Sequence, residues 1–242
     1  MSAKDIKPKF KPFKRAYAHN YVSEIIKQTI ISGVYKEGDL LPSELDLCRE
    51  LGISRSAVRE GLRELEGAGL VTTVQGSKGG RLVKKINSDI IANGLDLLLK
   101  SQKASFEQLI EARKIIECST AELAAINRTE EHLKAMLRVV DLSKTSKKNF
   151  VKKNYEFHET IALASQNMIL FYIVQALRKL IFYSYSLIPM EDIAIENAIE
   201  SHREIYKAIE SRDPIRAKKA IIYDLDSYSS DYHEFIRNKK NK

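Results

Sequence analysis

Four polar residues in this 242-residue chain have the types and the spacing of groups that read nucleic-acid bases. On a helix, Ser56, Arg59 and Arg63 fall on one arc away from the apolar stripe, and Arg55 lies at the edge of that arc. Arginine can pair bidentately with guanine in the major groove, and serine can reach a base or a phosphate. A solvated helix surface can have the same composition, so the interpretation depends on the surrounding elements.

The helices that would present these side chains have local start and stop signals. Ser43 is a good N-cap for a first helix, with Asp46 in its first turn, and Gly52 supplies a left-handed stop. Ser54 caps a second helix, which ends at Gly69. The inward stripe of this second helix has three apolar residues at i, i+4 and i+7: Val58, Leu62 and Leu65.

A glycine-rich, basic turn joins two β-prone runs after the second helix. The runs cover residues 71–74 and 82–83, and the turn reads Gln75-Gly76-Ser77-Lys78-Gly79-Gly80-Arg81. Its backbone can approach a phosphate or the minor groove closely, and it lacks the GxxxxGK[ST] spacing of a nucleotide-binding loop. Two capped helices followed by this hairpin predict a winged helix-turn-helix that binds double-stranded DNA.

Residues 17–84 resemble the N-terminal domain of GntR-type bacterial transcriptional regulators. The matching motifs are Gly38-Asp39-x-Leu41-Pro42-Ser43-Glu44, Leu51-Gly52-x-Ser54-Arg55-x-x-Val58-Arg59-Glu60 and Gly69-Leu70-Val71. The resemblance implies that Arg55, Ser56 and Arg59 contact bases and backbone. It also implies that Ser43 and Glu44 open their helix beside the phosphate backbone.

The same resemblance places Gly79 or Gly80 at the tip of the wing, and we expect the neighbouring Lys78 to contact phosphate. Arg63 completes the expected DNA-binding set. Leu45 departs from the pattern, because several relatives carry a basic residue there, so we expect no base contact from this position.

Charge is distributed unevenly along the chain. Residues 1–85 hold 16 Lys and Arg against 10 Asp and Glu, residues 237–242 contribute four positive charges, and the segment between them has a net charge of −2. The middle segment is therefore not a nucleic-acid surface. We expect four parts: a basic arm over 1–16, a DNA-binding domain over 17–85, a helical effector-binding and dimerisation domain over 86–236, and a basic tail over 237–242. The arm either follows the DNA backbone or serves only as a solubilising tail.

Cysteine content and hydropathy predict a cytoplasmic protein without a membrane span. Cys48 and Cys118 are the only cysteines, which allows no disulfide framework. The N-terminus has charge but no apolar core of a secretory signal. The most apolar run, 168–188, is interrupted by three polar residues: Gln175, Arg178 and Lys179. We expect it to be a core or interface helix.

Residues 86–236 read as helix almost throughout, and no run alternates like a strand. Helices are predicted near 88–100, 105–126, 129–144, 147–165, 168–188, 192–211 and 213–236. The predicted fold class is mainly α, with an N-terminal winged helix-turn-helix and a C-terminal all-α bundle of six or seven helices.

Four positions in this bundle could converge on one site. Asn154 and His158 are four residues apart and share a helix face, while His202 and Asp224 come from two later helices. Because a helical histidine is more often a hydrogen-bonded interior group than a metal ligand, these residues alone do not identify a metal site.

The bundle also resembles a known domain, the effector-binding (FCD-type) domain of the FadR subgroup of GntR regulators. The matching segments are Arg113-x-x-x-Glu117-x-x-x-Ala121-x-Leu123-Ala124-Ala125, Asn154-x-x-Phe157-His158-x-x-Ile161-Ala162, Asn167 and His202-x-x-Ile205-x-x-Ala208-Ile209-x-x-x-Asp213. In metal-binding relatives, an aspartate and three histidines hold the ion, and an arginine from an earlier helix helps to hold a carboxylate effector. By position, the aspartate is Asn154 here, two histidines are His158 and His202, Asp224 replaces the third, and the arginine is Arg113.

The resemblance therefore implies a rearranged site. Two imidazoles and a carboxylate suit Zn²⁺, Ni²⁺, Fe²⁺ or Mn²⁺, with Asn154 as a weak oxygen donor. The alternative is a metal-free pocket whose groups hydrogen-bond a ligand or each other. Arg113 is expected to clamp a small organic acid, unless an ion pair with Glu117 occupies it. Four tyrosines either line the pocket or only pack: Tyr155, Tyr172, Tyr183 and Tyr185.

The sequence thus predicts a ligand-responsive transcriptional regulator, a repressor and not an enzyme, that binds a palindromic operator as a homodimer. A two-fold operator requires two readers, and effector binding would shift the balance between two dimer arrangements. The apolar helix over 169–187 is a candidate for the interface or for the core. Two alternatives stay open: a metal-dependent enzyme in the helical domain, and an architectural DNA-binding dimer with a vestigial pocket.

Overall fold

The computed structural model describes residues 18–76, 79–140, 147–185 and 192–240. The chain divides into two compact units, Met1–Ile86 and Asn87–Lys242. The segment proposed as a basic arm, Lys78 of the wing turn and the last two residues of the basic tail lie outside the described residues.

The described part of the first unit contains three helices and a two-stranded sheet. They are α1 (Ala18–Ile31), α2 (Glu44–Leu51), α3 (Arg55–Gly67), β1 (Val71–Val74) and β2 (Gly80–Val83). The strands pair antiparallel from Val71 opposite Val83 to Val74 opposite Gly80. The predicted winged helix-turn-helix is confirmed. Helix α1 was not predicted from the sequence.

Helix α1 completes the core of the first unit. Its Val22, Ile26 and Ile30 are spaced by four residues and are buried against the apolar stripe of α3. A glycine lets the two helices approach closely: a Cβ atom on Gly61 of α3 would lie only 2.8 Å from the His19 carbonyl oxygen. The close α1–α3 packing therefore requires glycine at position 61.

The caps of α2 and α3 agree only partly with expectation. The Ser43 hydroxyl accepts from the Asp46 amide at 3.2 Å, and Gly52 has φ +65°, as a left-handed stop requires. Ser54 occupies the N-cap position of α3, but its hydroxyl lies 3.2 Å from that of Ser56 instead of capping an amide. Helix α3 ends at Gly67, two residues earlier than expected, and Gly69 with φ +76° begins the turn into β1.

The second unit is helical throughout its described part. Its seven helices are α4 (Asp89–Lys100), α5 (Phe106–Asn127), α6 (Glu130–Val140), α7 (Lys147–Ala164), α8 (Met168–Tyr185), α9 (Asp192–Glu210) and α10 (Pro214–Lys240). This confirms the all-α bundle, although α10 continues four residues into the segment expected to be a tail. Small residues such as Ala121, Ala208 and Ala217 are fully buried, which lets α5, α9 and α10 pack closely.

Hydropathy agrees with the bundle interpretation of the apolar run. Across the described part of the chain, no helix combines the length and the apolar character that crossing a membrane requires. Within α8, Val174, Leu177 and Ile181 are buried in the bundle, whereas Ile169 is 69% exposed. The helix is thus a core element with a partly exposed apolar end.

Candidate functional site

The exposed face of α3 carries the arginines that the sequence assigns to DNA. The side chains of Arg55, Arg59 and Arg63 are 70%, 45% and 64% exposed. Arg59 donates from Nε and Nη2 to Glu44 Oε2 at 3.2 and 3.0 Å, and Arg55 Nε lies 3.6 Å from the same oxygen. The hydrogen bond from Arg59 lowers the pKa of Glu44. Glu44 therefore lies between two guanidinium groups in this structure.

The pair with Glu44 leaves Arg59 able to contact a base. A guanidinium has five N–H donors, and Glu44 takes the Nε donor and one of those on Nη2. The edge formed by Nη1 and Nη2 retains the two parallel donors that a guanine O6 and N7 accept. Glu44 can thus hold the guanidinium in place without blocking that edge.

The wing is tied to the recognition helix through Glu66. This carboxylate accepts from the Thr73 amide at 3.0 Å and from the Thr73 hydroxyl at 2.8 Å, and it pairs with Arg81. At the tip, a Cβ atom on Gly79 would clash with the Val74 carbonyl oxygen, so the turn needs glycine there. These contacts fix the hairpin relative to α3.

A buried polar cluster lies inside the second unit. His158 of α7, His202 of α9 and Asp224 of α10 each offer one ligand atom, and these three atoms lie within 4.8 Å of one another. His158 Nε2 is 3.2 Å from Asp224 Oδ2, and His202 Nε2 is 3.6 Å from Asp224 Oδ1. All three residues are at most 3% exposed. Three of the four predicted metal ligands are therefore brought together.

Within the described part of the chain, the facing atoms of this cluster lack hydrogen-bond partners. Among the described residues, His158 Nε2, His202 Nε2 and both carboxylate oxygens of Asp224 are buried without an aligned donor or acceptor. Buried polar atoms are nearly always satisfied, and four such atoms facing one another could be satisfied together by one bound ion. Their chemistry, two imidazole nitrogens and a carboxylate, fits a divalent metal ion.

Electrostatics keep His202 and Asp224 in the protonation states that bind metal. Burial lowers the pKa of His202 to about 3, and Asp224 offsets only part of this effect. Burial alone would raise the pKa of Asp224, but the contact with His158 and the charges of His202, His158 and Arg113 lower it to about 2. At neutral pH, His202 is a neutral imidazole and Asp224 is ionised, as metal coordination requires.

Asn154, the fourth predicted ligand, is engaged elsewhere. Its Oδ1 atom and its backbone carbonyl both accept from Arg178 Nη2 at 3.2 Å. Arg178 is only 6% exposed, and a buried guanidinium must find acceptors. The amide oxygen that the sequence assigned to the metal is thus directed to Arg178.

Arg113 forms the ion pair that the sequence left as an alternative. Its Nε atom donates to Glu117 Oε1 at 2.6 Å, and both residues are at most 5% exposed. The other carboxylate oxygen, Oε2, lies 2.6 Å from His158 Nδ1 and 3.4 Å from Arg178 Nη1. Burial would raise the pKa of Glu117, but Arg113, His158 and Arg178 hold it well below its usual value. Glu117 is the central acceptor of the site.

Sequence reasoning missed the roles of Arg178 and Glu117. Arg178 was an interruption in an apolar run, and a charge at such a position signals a buried pair, because lone buried charges are rare. Its guanidinium also lies 5.6 Å from the ring centroid of Tyr155, whose hydroxyl donates to the Gln175 carbonyl at 3.2 Å. Tyr172 stacks edge-on with Phe171. The side chains of Tyr183 and Tyr185 lie outside the described residues.

Comparison with known proteins gives two family matches. Residues 19–78 match "Bacterial regulatory proteins, gntR family", and residues 108–227 match "FCD domain". The Glc operon transcriptional activator of Escherichia coli (strain K12) is 30% identical over 228 residues, covering 88% of each chain. The HTH-type transcriptional repressor NanR of Cronobacter sakazakii is 28% identical over 243 residues, or 96% of this chain and 92% of that one. The solved structure "Streptococcus agalactiae GntR" matches with a TM-score of 0.69 at 25% identity, covering 87% of this chain and 98% of that one.

Proposed function

We propose that this chain, which belongs to the GntR family of transcription regulators, is a repressor that binds a divalent metal and responds to a small organic acid. It combines a DNA-binding domain with an effector-binding FCD domain. The chain is a transcription regulator and not an enzyme, since its homologues and structural neighbours are GntR-family regulators. The observation that carries the proposal is the group of possible metal-ligand atoms on His158, His202 and Asp224, which have no hydrogen-bond partner among the residues that the structure describes.

In the DNA-binding domain, we assign base reading to the exposed face of α3. Arg59 presents its free guanidinium edge to guanine while Glu44 holds the other edge. Arg55, Ser56 and Arg63 lie on or beside the same exposed face and complete the contact surface. The wing contributes backbone contacts through Gly79 and Gly80, at the tip of the hairpin that Glu66 ties to α3.

In the effector domain, His158, His202 and Asp224 would hold a divalent ion. When bound, such an ion supplies open coordination positions for an anionic oxygen. Without it, the buried charges balance, because Arg113 and Arg178 offset Glu117 and Asp224. An added dication makes the site net positive, and a buried positive site favours an anion such as the carboxylate of a small organic acid.

We propose that the regulator acts as a homodimer on a palindromic operator in the cytoplasm, where bacterial DNA is found. Met168 and Ile169 at the start of α8 and Phe182 near its end are 48%, 69% and 37% exposed, and exposed apolar side chains of this kind can pack against a second copy. Repression is favoured because the match to NanR, a repressor by its name, extends over 96% of the chain. The Glc operon relative is an activator by its name. Expression from a promoter fusion, compared in cells with and without the gene for this protein, therefore decides between repression and activation.

A binding-site selection tests the proposed function. Purified protein selects duplexes from random DNA, and the selection is repeated with a panel of metals and organic acids. We expect a two-fold symmetric site whose affinity changes with an organic acid only when a divalent metal is present. A regular palindromic footprint that no metabolite changes would instead support the architectural dimer.

A further inference from the structure

Glu117 uses both of its carboxylate oxygens, and each has a different partner. Oε1 accepts from Arg113 Nε at 2.6 Å, while Oε2 contacts His158 Nδ1 at 2.6 Å. Arg178 Nη1 lies 3.4 to 3.5 Å from both oxygens. The side chain is 3% exposed, so bulk water does not replace any of these partners.

The contact with Glu117 determines which nitrogen of His158 carries a proton. An ionised carboxylate only accepts hydrogen bonds, so a 2.6 Å contact requires a proton on Nδ1. In neutral imidazole, the lone pair is then on Nε2. That nitrogen is the one that faces Asp224 in the buried cluster, and it has no aligned partner among the described residues.

On the premise of the proposed metal binding, we infer that Glu117 is the positioning residue of the metal site, which orients His158 and keeps its Nε2 atom available as a ligand. A hydrogen bond from the second nitrogen of a ligating histidine to a carboxylate fixes the ring and increases its basicity. Asn154, which shares a face of α7 with His158, points its oxygen at Arg178. The carboxylate that supports the site from α5 is therefore Glu117.

The same residue connects the metal ligands to the two buried arginines. Because one carboxylate receives Arg113, Arg178 and His158, any anion that draws a guanidinium away changes the hydrogen bond to His158. Metal affinity and anion affinity are therefore coupled through Glu117, and such coupling is reciprocal.

Glu117→Gln tests the positioning role without changing the size of the side chain. A glutamine has one carbonyl oxygen and one NH₂ group, so it can accept from Arg113 or from His158 but not from both. If the oxygen stays with Arg113, the NH₂ group meets Nδ1, and the His158 proton moves to Nε2. We expect affinity for Zn²⁺ alone to fall about 10- to 100-fold, as is typical when a residue behind a metal ligand is lost. Glu111→Gln, an exposed position on the same helix, is the matched control and should bind Zn²⁺ like the parent.

Nitrogen-15 NMR of histidine-labelled protein gives a second readout that a purely structural role would not change. The chain has five histidines, and the spectrum of His158→Ala assigns the relevant signal. From the contact with Glu117, we expect a proton on Nδ1 of His158 in the parent protein and on Nε2 in Glu117→Gln. Unchanged Zn²⁺ affinity together with an unchanged His158 tautomer would overturn the assignment.

The two readouts separate this assignment from the proposed function. If the parent protein binds no Zn²⁺, the proposed metal function fails, while a proton on Nδ1 of His158 still supports the role of Glu117. If Glu117→Gln does not fold, the spectrum of the parent protein decides alone, because an unprotonated Nδ1 on His158 would contradict the positioning role of Glu117.

Discussion

Replacing Arg59 by alanine should remove discrimination at one base position per half-site while leaving the fold intact. The guanidinium is held by Glu44 through Nε and Nη2, which leaves the donors of its Nη1–Nη2 edge for a base. The ion pair lies on the surface and contributes little to stability, because exposed pairs are screened by water and salt. We therefore expect the melting temperature of Arg59→Ala to stay close to that of the parent.

The effect on DNA binding follows from the donors that are lost. One bidentate arginine–guanine contact accounts for roughly 5- to 150-fold of discrimination against a wrong base. The affinity for the selected operator should fall by a factor in this range, and the preference for guanine at one position per half-site should disappear. Affinity for random duplex should fall much less, because non-specific binding depends on the total positive charge that faces the DNA.

Fluorescence anisotropy with operator, base-substituted and random duplexes at one salt concentration measures these ratios. Arg49→Ala is the control, because it removes an equally charged side chain from α2, 71% exposed and paired only at 3.5 Å with Asp46. It should change operator and random affinities by similar factors. If Arg59→Ala weakened both duplexes equally, or changed neither, base reading by Arg59 would be refuted.

Two further substitutions test the packing of each unit. Gly61→Ala places a Cβ atom 2.8 Å from the His19 carbonyl oxygen, so chemical denaturation should show that the free energy of unfolding falls by about 1 to 3 kcal/mol from overpacking. The control is Gly67→Ala, whose Cβ atom meets nothing within 4 Å. This variant should be as stable as the parent or slightly more stable. Equal stabilities of the two variants would contradict the close α1–α3 contact. Arg178→Met should cost about 3 kcal/mol, because it leaves the buried Glu117 with one guanidinium instead of two. A Met variant as stable as the parent in urea unfolding would argue against that network.

The parts of the fold set by local chemistry could be predicted from the sequence. Ser43 and Gly52 bound α2 because capping and left-handed backbone depend on single residues. The glycine-rich turn between two β-prone runs similarly located the wing hairpin. Helix α1 was missed although Val22, Ile26 and Ile30 have a helical spacing, since no cap signal drew attention to them.

Partners far apart in the chain were harder to assign. His158 and His202 could be singled out by type and spacing, but nothing local shows that the Asn154 oxygen goes to Arg178, which is 24 residues away. The choice between an Arg113–Glu117 pair and a free Arg113 likewise depends on how α5, α7 and α8 pack. Such choices follow from competition among buried groups for acceptors, which only the assembled bundle defines.

The central claim is that the buried cluster holds a divalent metal, and elemental analysis of protein purified without chelator tests it most directly. We expect about one metal ion per chain, bound through His158, His202 and Asp224. Removing the metal should lower the melting temperature, and adding it back should restore it. The His158→Ala plus His202→Ala variant should lose both the metal and this response, whereas a control double variant, His19→Ala plus His132→Ala, should keep them. No stoichiometric metal in the parent protein, with melting temperatures that do not respond to metal in any variant, would contradict the account.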